Sequence, residues 1–149
     1  EHHGTLNINN KQVLLFDDYG HHPNEINAVF ESLQNTYPNK RLVVIFQPHR
    51  YTRTRDLFDD FSRVLSKADA LILLEIYPAN EQSIARINSS SLASAIRKRS
   101  SLDPVVIKNS KEILTVLPNI IKNNDVVLTL GAGDVHTLVG LLADKYAHS

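Results

Sequence analysis

Short apolar blocks alternate with amphipathic segments along most of the chain. The blocks are continuous and rich in β-branched residues, which is typical of strands covered on both faces. The segments between them carry apolar residues at helical spacing. Strands alternating with helices predict a parallel, doubly wound sheet. The predicted strands are KQVLLFD (11–17), RLVVIFQ (41–47), ALILLEI (70–76), PVVIK (104–108) and DVVLTL (125–130), with TLNI (5–8) as a short hairpin partner of the first.

The helical stripes cover 26–37, 57–68, 92–96, 113–121 and 135–142. We expect Pro118 to kink or restart the fourth of these helices, because proline removes a backbone donor. The longest irregular stretch, 78–91, is interpreted as a surface loop. Since no repeat or linker interrupts the pattern, the sequence predicts a single domain.

The composition of the chain limits the classes of partner that it is expected to bind. The 16 basic side chains equal the 16 acidic ones, so no overall field attracts nucleic acid or an anionic membrane, and we expect neither as a partner. There is no cysteine, which rules out disulfides and thiolate metal sites. The apolar runs are too short to span a bilayer. The chain begins at Glu1 and has no methionine, a weak indication that it was cut from a longer protein.

Polar residues gather where the predicted strands end. In an open parallel sheet, ligands bind in the crevice beyond the carboxyl ends of the strands. The loops that follow the strands share this edge, so we expect them to build one site. The first long strand runs into Asp17, Asp18, Tyr19, His21 and His22, and the second into Gln47, His49, Arg50, Tyr51 and Arg53.

Arginines crowd the start of the helix predicted after the second long strand. Arg50, Arg53 and Arg55 lie in QPHRYTRTRDLFDDF, with Thr52 or Thr54 as the expected helix cap. Because a helix N-terminus already carries partial positive charge, cations there are unfavourable unless an anion binds beside them. The pattern favours an anion site. The alternative is that the arginines extend into solvent and pair with Asp56, Asp59 or Asp60.

The segment DDYGHHP (17–23) has three interpretations. Aspartates and histidines ligate divalent metals, although the adjacent His21 and His22 should diverge and a third histidine would have to be His49. The same groups suit hydrogen bonding to a polar ligand, which we favour. The third interpretation is a polar loop in which Pro23 or Asn24 begins the next helix.

The segment GAGDVH (131–136) places two glycines before a helix, as dinucleotide-binding loops do. The third glycine of that motif would fall at His136, and this strand is the last rather than the first. We therefore interpret the segment as a tight turn with Asp134 capping the final helix. A working phospho-receiver domain, which shares the wound sheet, is rejected because its phosphoacceptor Asp and its Lys are missing.

Four stretches together resemble the C-terminal domain of the peptidoglycan amino-acid ligases: DDYGHHPNEI, FQPHRYTRTRDLFDDF, ADALILLEIYPANE and VVLTLGAGD. The likeness runs from about Val13 to Leu142. QPHRYTRT favours the branch that joins L-alanine to UDP-N-acetylmuramate over a related branch that recycles cell-wall peptide. The resemblance implies that residues 1–149 form the Rossmann-like third domain of a cytoplasmic enzyme, whose N-terminal UDP-binding and central ATP-binding domains lie outside this chain.

The resemblance also implies ATP and Mg²⁺ as cofactors and L-alanine and UDP-N-acetylmuramate as substrates. In that reaction the muramoyl carboxylate is phosphorylated by ATP, and the amine of L-alanine attacks the acyl phosphate. The phosphate-loop pattern GxxxxGK[ST] is absent here. We therefore expect Mg²⁺ to bind mainly in the central domain and this chain alone to be inactive.

The nucleotide-binding residues implied by the resemblance are Asp18, which would hydrogen-bond the ribose, and Tyr19, His21 and His22, which would line the junction with the central domain. No catalytic residue and no metal ligand is expected in this chain.

The substrate-binding residues implied by the resemblance are His49, Arg50 and Arg53, which would face the reacting end of the substrate and the amino-acid carboxylate. An alternative from another class is a stand-alone anion- or nucleotide-binding module without chemistry of its own.

Overall fold

The computed structural model describes residues 2–146, which begin with a β-hairpin. Strands β1 (His2–Ile8) and β2 (Lys11–Asp18) pair antiparallel around Asn9 and Asn10, whose φ angles are 52° and 68°. The predicted hairpin partner is therefore confirmed, and it extends back to His2. The elements are β1 (His2–Ile8), β2 (Lys11–Asp18), α1 (Pro23–Thr36), β3 (Leu42–Phe46), α2 (Tyr51–Asp56), α3 (Phe58–Leu65), β4 (Ala70–Leu74), α4 (Ser89–Arg99), β5 (Val105–Ile107), a 3₁₀ turn (Ser110–Glu112), α5 (Ile113–Ile120), β6 (Val126–Leu130) and α6 (Val135–Tyr146).

The six strands form one sheet in the order β1-β2-β6-β3-β4-β5, and every pair except β1–β2 is parallel. Helices α1, α3 and α4 bury their apolar residues against one face of the sheet, and α5 and α6 bury theirs against the other. The predicted doubly wound α/β domain is confirmed. Strand β6 lies between β2 and β3, so the strand that comes last in the sequence lies in the middle of the sheet.

The burial of the strands follows their place in the sheet. All five residues of β3 and of β6 are buried, as the continuous apolar pattern predicted. In β2, by contrast, Val13, Leu15 and Asp17 are buried while Leu14 and Phe16 are partly exposed. A groove of ≈ 370 Å³ runs past Phe16 on this side. The prediction that every strand is covered on both faces is therefore wrong for β2, whose Phe16 side chain lines this groove, and for the edge strand β5, where Val105 is exposed.

The helices depart from prediction in two places. The stripe over 57–68 lies on α3, which ends at Leu65, and the preceding residues form the separate short helix α2, which meets α3 at Leu57. Helix α5 continues through Pro118, so the predicted restart is wrong; the carbonyl of Leu114, which Pro118 cannot satisfy, lies 3.4 Å from the Tyr146 hydroxyl. Among the described residues no helix has the length and apolar character needed to cross a membrane.

The amino ends of the parallel strands are closed by an internal ion pair. Asp125, only 1% exposed, lies 3.5 Å from the Arg41 guanidinium and accepts a hydrogen bond from the Lys122 N–H at 2.7 Å. Asp69 accepts one from the Leu42 N–H at 2.7 Å. Burial raises the pKa of Asp125 above its ordinary value, even though Arg41 and the Lys122 amide act in the opposite direction.

Candidate functional site

The carboxyl ends of the strands open into a crevice on both sides of β6. The loops after β2 and β3 lead to helices on one face, whereas the loop after β6 leads to α6 on the other. Residues 17–22, 47–53 and 131–136 meet at this edge, as predicted. Gln47 links two of these loops, because its Oε1 accepts the N–H of Val135 at the start of α6 at 3.0 Å. The predicted capping of α6 by Asp134 is wrong, since within residues 2–146 its carboxylate accepts no hydrogen bond.

His49 is the centre of a cluster of rings and one cation. Its imidazole stacks on Tyr77, with centroids 5.5 Å apart and an interplanar angle of 8°, and lies 5.9 Å from the ring of His21. Arg53 Nη1 lies 3.2 Å from His49 Nδ1. Because a guanidinium only donates, Nδ1 accepts and the ring proton is on Nε2. Burial, followed by the charges of Arg53 and Arg50, lowers the pKa of His49 and favours this neutral form.

Arg50 and Arg53 differ from the neighbouring arginines in forming no ion pair with an acid that the structure describes. Arg55 pairs with Asp56 at 2.9 Å, and Arg63 pairs with Asp59 and Asp60. Across the part of the chain that the structure describes, no ion pair joins Arg50 or Arg53 to a carboxylate. The alternative of pairing with downstream acids therefore holds for Arg55 and fails for these two.

The backbone N–H groups at the start of α2 donate to a residue that was not predicted from the sequence. The cap position is Arg50, at φ 73° and ψ 140° with no side-chain capping bond, so the prediction of Thr52 or Thr54 is wrong. Glu81 supplies the missing acceptor. Its Oε1 accepts the N–H groups of Tyr51 at 2.6 Å and Thr52 at 3.1 Å, and its Oε2 accepts the Thr52 hydroxyl at 2.6 Å. The anion at this helix terminus is thus part of the protein.

The histidines of DDYGHHP diverge, as predicted. His22 caps α1, since its Nδ1 accepts the Asn24 N–H at 3.1 Å, whereas His21 Nδ1 lies 3.2 Å from the Tyr19 carbonyl and its ring faces His49. Glu25 closes the capping box by accepting the N–H groups of both histidines at 3.1 Å, and these bonds lower the pKa of Glu25. His22 therefore has a structural role at the helix start.

The ring of Tyr19 contacts His136, which the sequence did not predict to be part of the site. The Tyr19 ring is 68% exposed and lies 3.9 Å from the His136 ring, centroid to centroid. His136 Nδ1 lies 3.1 Å from Asp17 Oδ2, and Asp17 Oδ1 also accepts the Thr129 hydroxyl at 2.6 Å. The only sequence signal for His136 was its place in the loop GAGDVH, where a third motif glycine would fall.

The glycines of that loop serve close packing. A Cβ on Gly133 would lie 2.7 Å from the Tyr77 ring and 2.8 Å from Gln47 Oε1. Gly131 has φ 137°, and a Cβ there would lie 2.8 Å from the Gln47 carbonyl oxygen. These contacts support a tight turn rather than a phosphate cradle. Among the side chains that the structure describes, at residue 2 and residues 4–146, no three His, Asp or Glu residues are arranged to hold a metal ion.

Residues 6–133 match the family model of the Mur ligase, glutamate ligase domain. The chain belongs to this family. It is 73% identical over 146 residues to a UDP-N-acetylmuramate--L-alanine ligase from Vesicomyosocius okutanii subsp. Calyptogena okutanii (strain HA), and the match covers 98% of the chain but 31% of that relative. The family resemblance stated from the sequence is confirmed, and the chain spans about a third of the length of the relatives it matches.

Two solved structures show the same Mur ligase fold. One is a UDP-N-acetylmuramate-alanine ligase from Thermotoga maritima, with TM-score 0.69 and 24% identity over 89% of this chain and 26% of that one. The other is a murein peptide ligase from Psychrobacter arcticus, with TM-score 0.71 and 18% identity over 100% of this chain and 30% of that one. At these identities the likeness supports the architecture alone.

Proposed function

We propose that residues 1–149 are the C-terminal domain of a three-domain UDP-N-acetylmuramate–L-alanine ligase that acts in the cytoplasm in peptidoglycan synthesis. The 73% identity with a relative of that name supports the alanine ligase over the peptide-recycling ligase. The N-terminal and central domains would supply the UDP-sugar and phosphate sites, since this chain has no phosphate loop.

The observation that carries the proposal is the pair Arg50 and Arg53 at the crevice, without a carboxylate partner in residues 2–146. Guanidinium groups bind carboxylates with paired, directional hydrogen bonds. The neutral His49 beside Arg53 adds no competing charge. In this arrangement the arginines hold the carboxylate of L-alanine, so that its amine is oriented toward the activated acyl group.

The residues proposed to contact ATP fit a nucleoside. Asp18 binds the Gly20 N–H at 2.8 Å through Oδ2, which leaves Oδ1 to accept a ribose hydroxyl. The carboxylate borders the groove lined by Phe16, Val29 and Leu33, which offers apolar surface beside the sugar site. The exposed Tyr19 and His21 are assigned to the junction with the central domain. Mg²⁺ and the phosphates are assigned to the central domain.

The test uses the full-length protein that contains this chain. With ATP and UDP-N-acetylmuramate present, we expect phosphate release that depends on L-alanine. Release that depends instead on a cell-wall tripeptide and its sugar acceptor would identify the recycling ligase. No release with either amine would favour a binding module without chemistry. The isolated chain should neither hydrolyse ATP nor form product, and its turnover would contradict the domain assignment.

A further inference from the structure

Glu81 lies in the irregular segment between β4 and α4, 30 residues from the helix start that it contacts. Its two carboxylate oxygens accept three hydrogen bonds from Tyr51 and Thr52, at 2.6, 3.1 and 2.6 Å. We propose that Glu81 is a positioning residue of the carboxylate site, which fixes the first turn of α2 and thereby the directions of Arg50 and Arg53. The inference rests on the proposed function of these two arginines.

Helix α2 has little else to hold its first turn. It is six residues long, its cap residue Arg50 makes no side-chain capping bond, and its first turn contains no acidic residue. The first N–H groups of a helix have no partner within it, and a helix this short is unstable by itself. Without Glu81, two backbone donors at the start of α2 would lose their acceptor while the adjacent arginine charge remained.

The same segment holds the loop before α2 at a second point. The Arg50 N–H donates to the Tyr77 carbonyl at 2.8 Å, and the Tyr77 N–H donates to the Pro48 carbonyl at 2.8 Å. The Tyr77 ring also stacks on His49, whose Nδ1 accepts from Arg53. Tyr77 therefore holds the residues before the helix and Glu81 holds its first turn, so that Arg53 is oriented from both sides.

The negative charge of Glu81 stabilises the guanidinium groups of Arg50 and Arg53, but its carboxylate does not form an ion pair with them. Hydrogen bonds from the Thr52 hydroxyl and backbone lower the pKa of Glu81, so the carboxylate stays ionised near neutral pH. Its charge also acts on Arg50, yet no ion pair forms between them in the described residues. Because its oxygens are engaged by Tyr51 and Thr52, the guanidinium groups remain available to an incoming carboxylate.

The experiment measures kcat and the KM values for L-alanine and ATP in the full-length protein, together with Tm. Glu81→Ala should raise KM for L-alanine roughly tenfold, the effect of losing about one hydrogen-bonded anchor, with KM for ATP within about twofold. Glu81→Gln keeps an oxygen for the two backbone donors and should give a smaller rise. Gln82→Ala, the exposed neighbour, is the matched control and should change neither KM.

A double variant separates positioning from simple helix stabilisation. Because part of the effect of Glu81 passes through Arg53, Glu81→Ala added to Arg53→Ala should raise KM for L-alanine by less than the roughly tenfold rise expected for Glu81→Ala alone. A lower Tm with an unchanged KM for L-alanine in Glu81→Ala, or fully additive effects in the double variant, would overturn the inference. The proposed function fails separately, if the unmodified protein does not use L-alanine or if Arg53→Ala has no effect.

Discussion

At the amino ends of the strands Arg41 lies against the buried carboxylate of Asp125, whereas at the carboxyl ends Arg50 and Arg53 have no carboxylate partner among the described residues. Both edges therefore hold arginine, but at one edge its charge is paired with a buried carboxylate and at the other the charge is open to a ligand. An arginine that is paired with a carboxylate of the fold contributes to stability. An arginine that is held in place without such a partner is available to bind a ligand. The difference separates an edge of the sheet that stabilises the fold from the edge proposed to bind a ligand.

The largest expected effect is on stability at the amino edge. Arg41→Ala leaves Asp125 buried without its cation and should lower the free energy of unfolding by about 3 kcal/mol. The measurement is urea unfolding. Arg55→Ala, which breaks the exposed pair with Asp56, is the control and should cost less than about 0.5 kcal/mol. Similar losses from both variants would show that the two edges do not differ in this way.

At the carboxyl edge the expected effect is on catalysis. Arg50→Ala and Arg53→Ala should each lower kcat/KM for L-alanine about ten- to a hundredfold, or roughly 1.5–3 kcal/mol, because a charge-assisted hydrogen bond to the carboxylate is lost. Tm should stay near that of the unmodified protein. Arg55→Ala should leave kcat/KM intact, and lysine at either position should restore activity only in part. An effect confined to Tm would remove these arginines from the site.

Close packing behind the site is tested by a pair of glycines. Gly133→Ala places a methyl group against Tyr77 and Gln47 and should destabilise the fold by about 1–2 kcal/mol. Gly140→Ala, in α6, meets no atom within 4 Å and should instead stabilise by about 0.5–1 kcal/mol. Thermal melting of the two variants checks the sign. A stable Gly133→Ala protein would mean that Tyr77 is free to move.

The smallest expected effect is a pH dependence of opposite sign at the two edges. The raised pKa of Asp125 means that the folded state holds its proton more tightly, so this contribution to stability falls as pH rises above 3.8 toward the folded value. The lowered pKa of Glu25 contributes stability that is present above 4.5 and lost as pH falls. Urea midpoints from about pH 3 to 7 should lose one slope in Asp125→Asn and the other in Glu25→Gln.

Much of the fold was predictable because strand and helix patterns are local. Each parallel strand and the convergence of the loops at one edge followed from apolar runs and the alternation of elements. The break at Leu57 and the continuous helix through Pro118 were not predictable. They depend on contacts made elsewhere in the chain, such as the Tyr146 hydroxyl at the Leu114 carbonyl.

The residue types of the candidate site could be predicted from the sequence, but the residues that hold them in position could not. Arg50 and Arg53 were singled out because cations at a helix start need an anion nearby. The anion at the backbone turned out to be Glu81, 30 residues away in an irregular loop whose course no local pattern predicts. His136 was missed for the same reason. It contacts Asp17, which is distant in sequence, and a histidine does not signal such a contact by itself.

Arg50 has one further consequence, which concerns natural and laboratory selection. Its φ of 73° and ψ of 140° suit glycine far better than arginine, a strain of about 1–3 kcal/mol. Variants chosen only for heat resistance should therefore accumulate glycine at position 50, while variants chosen for cell growth should keep arginine. Deep mutational scanning under the two regimes would give opposite rankings at this position. The residue at position 50 would then show whether heat resistance or cell growth was selected.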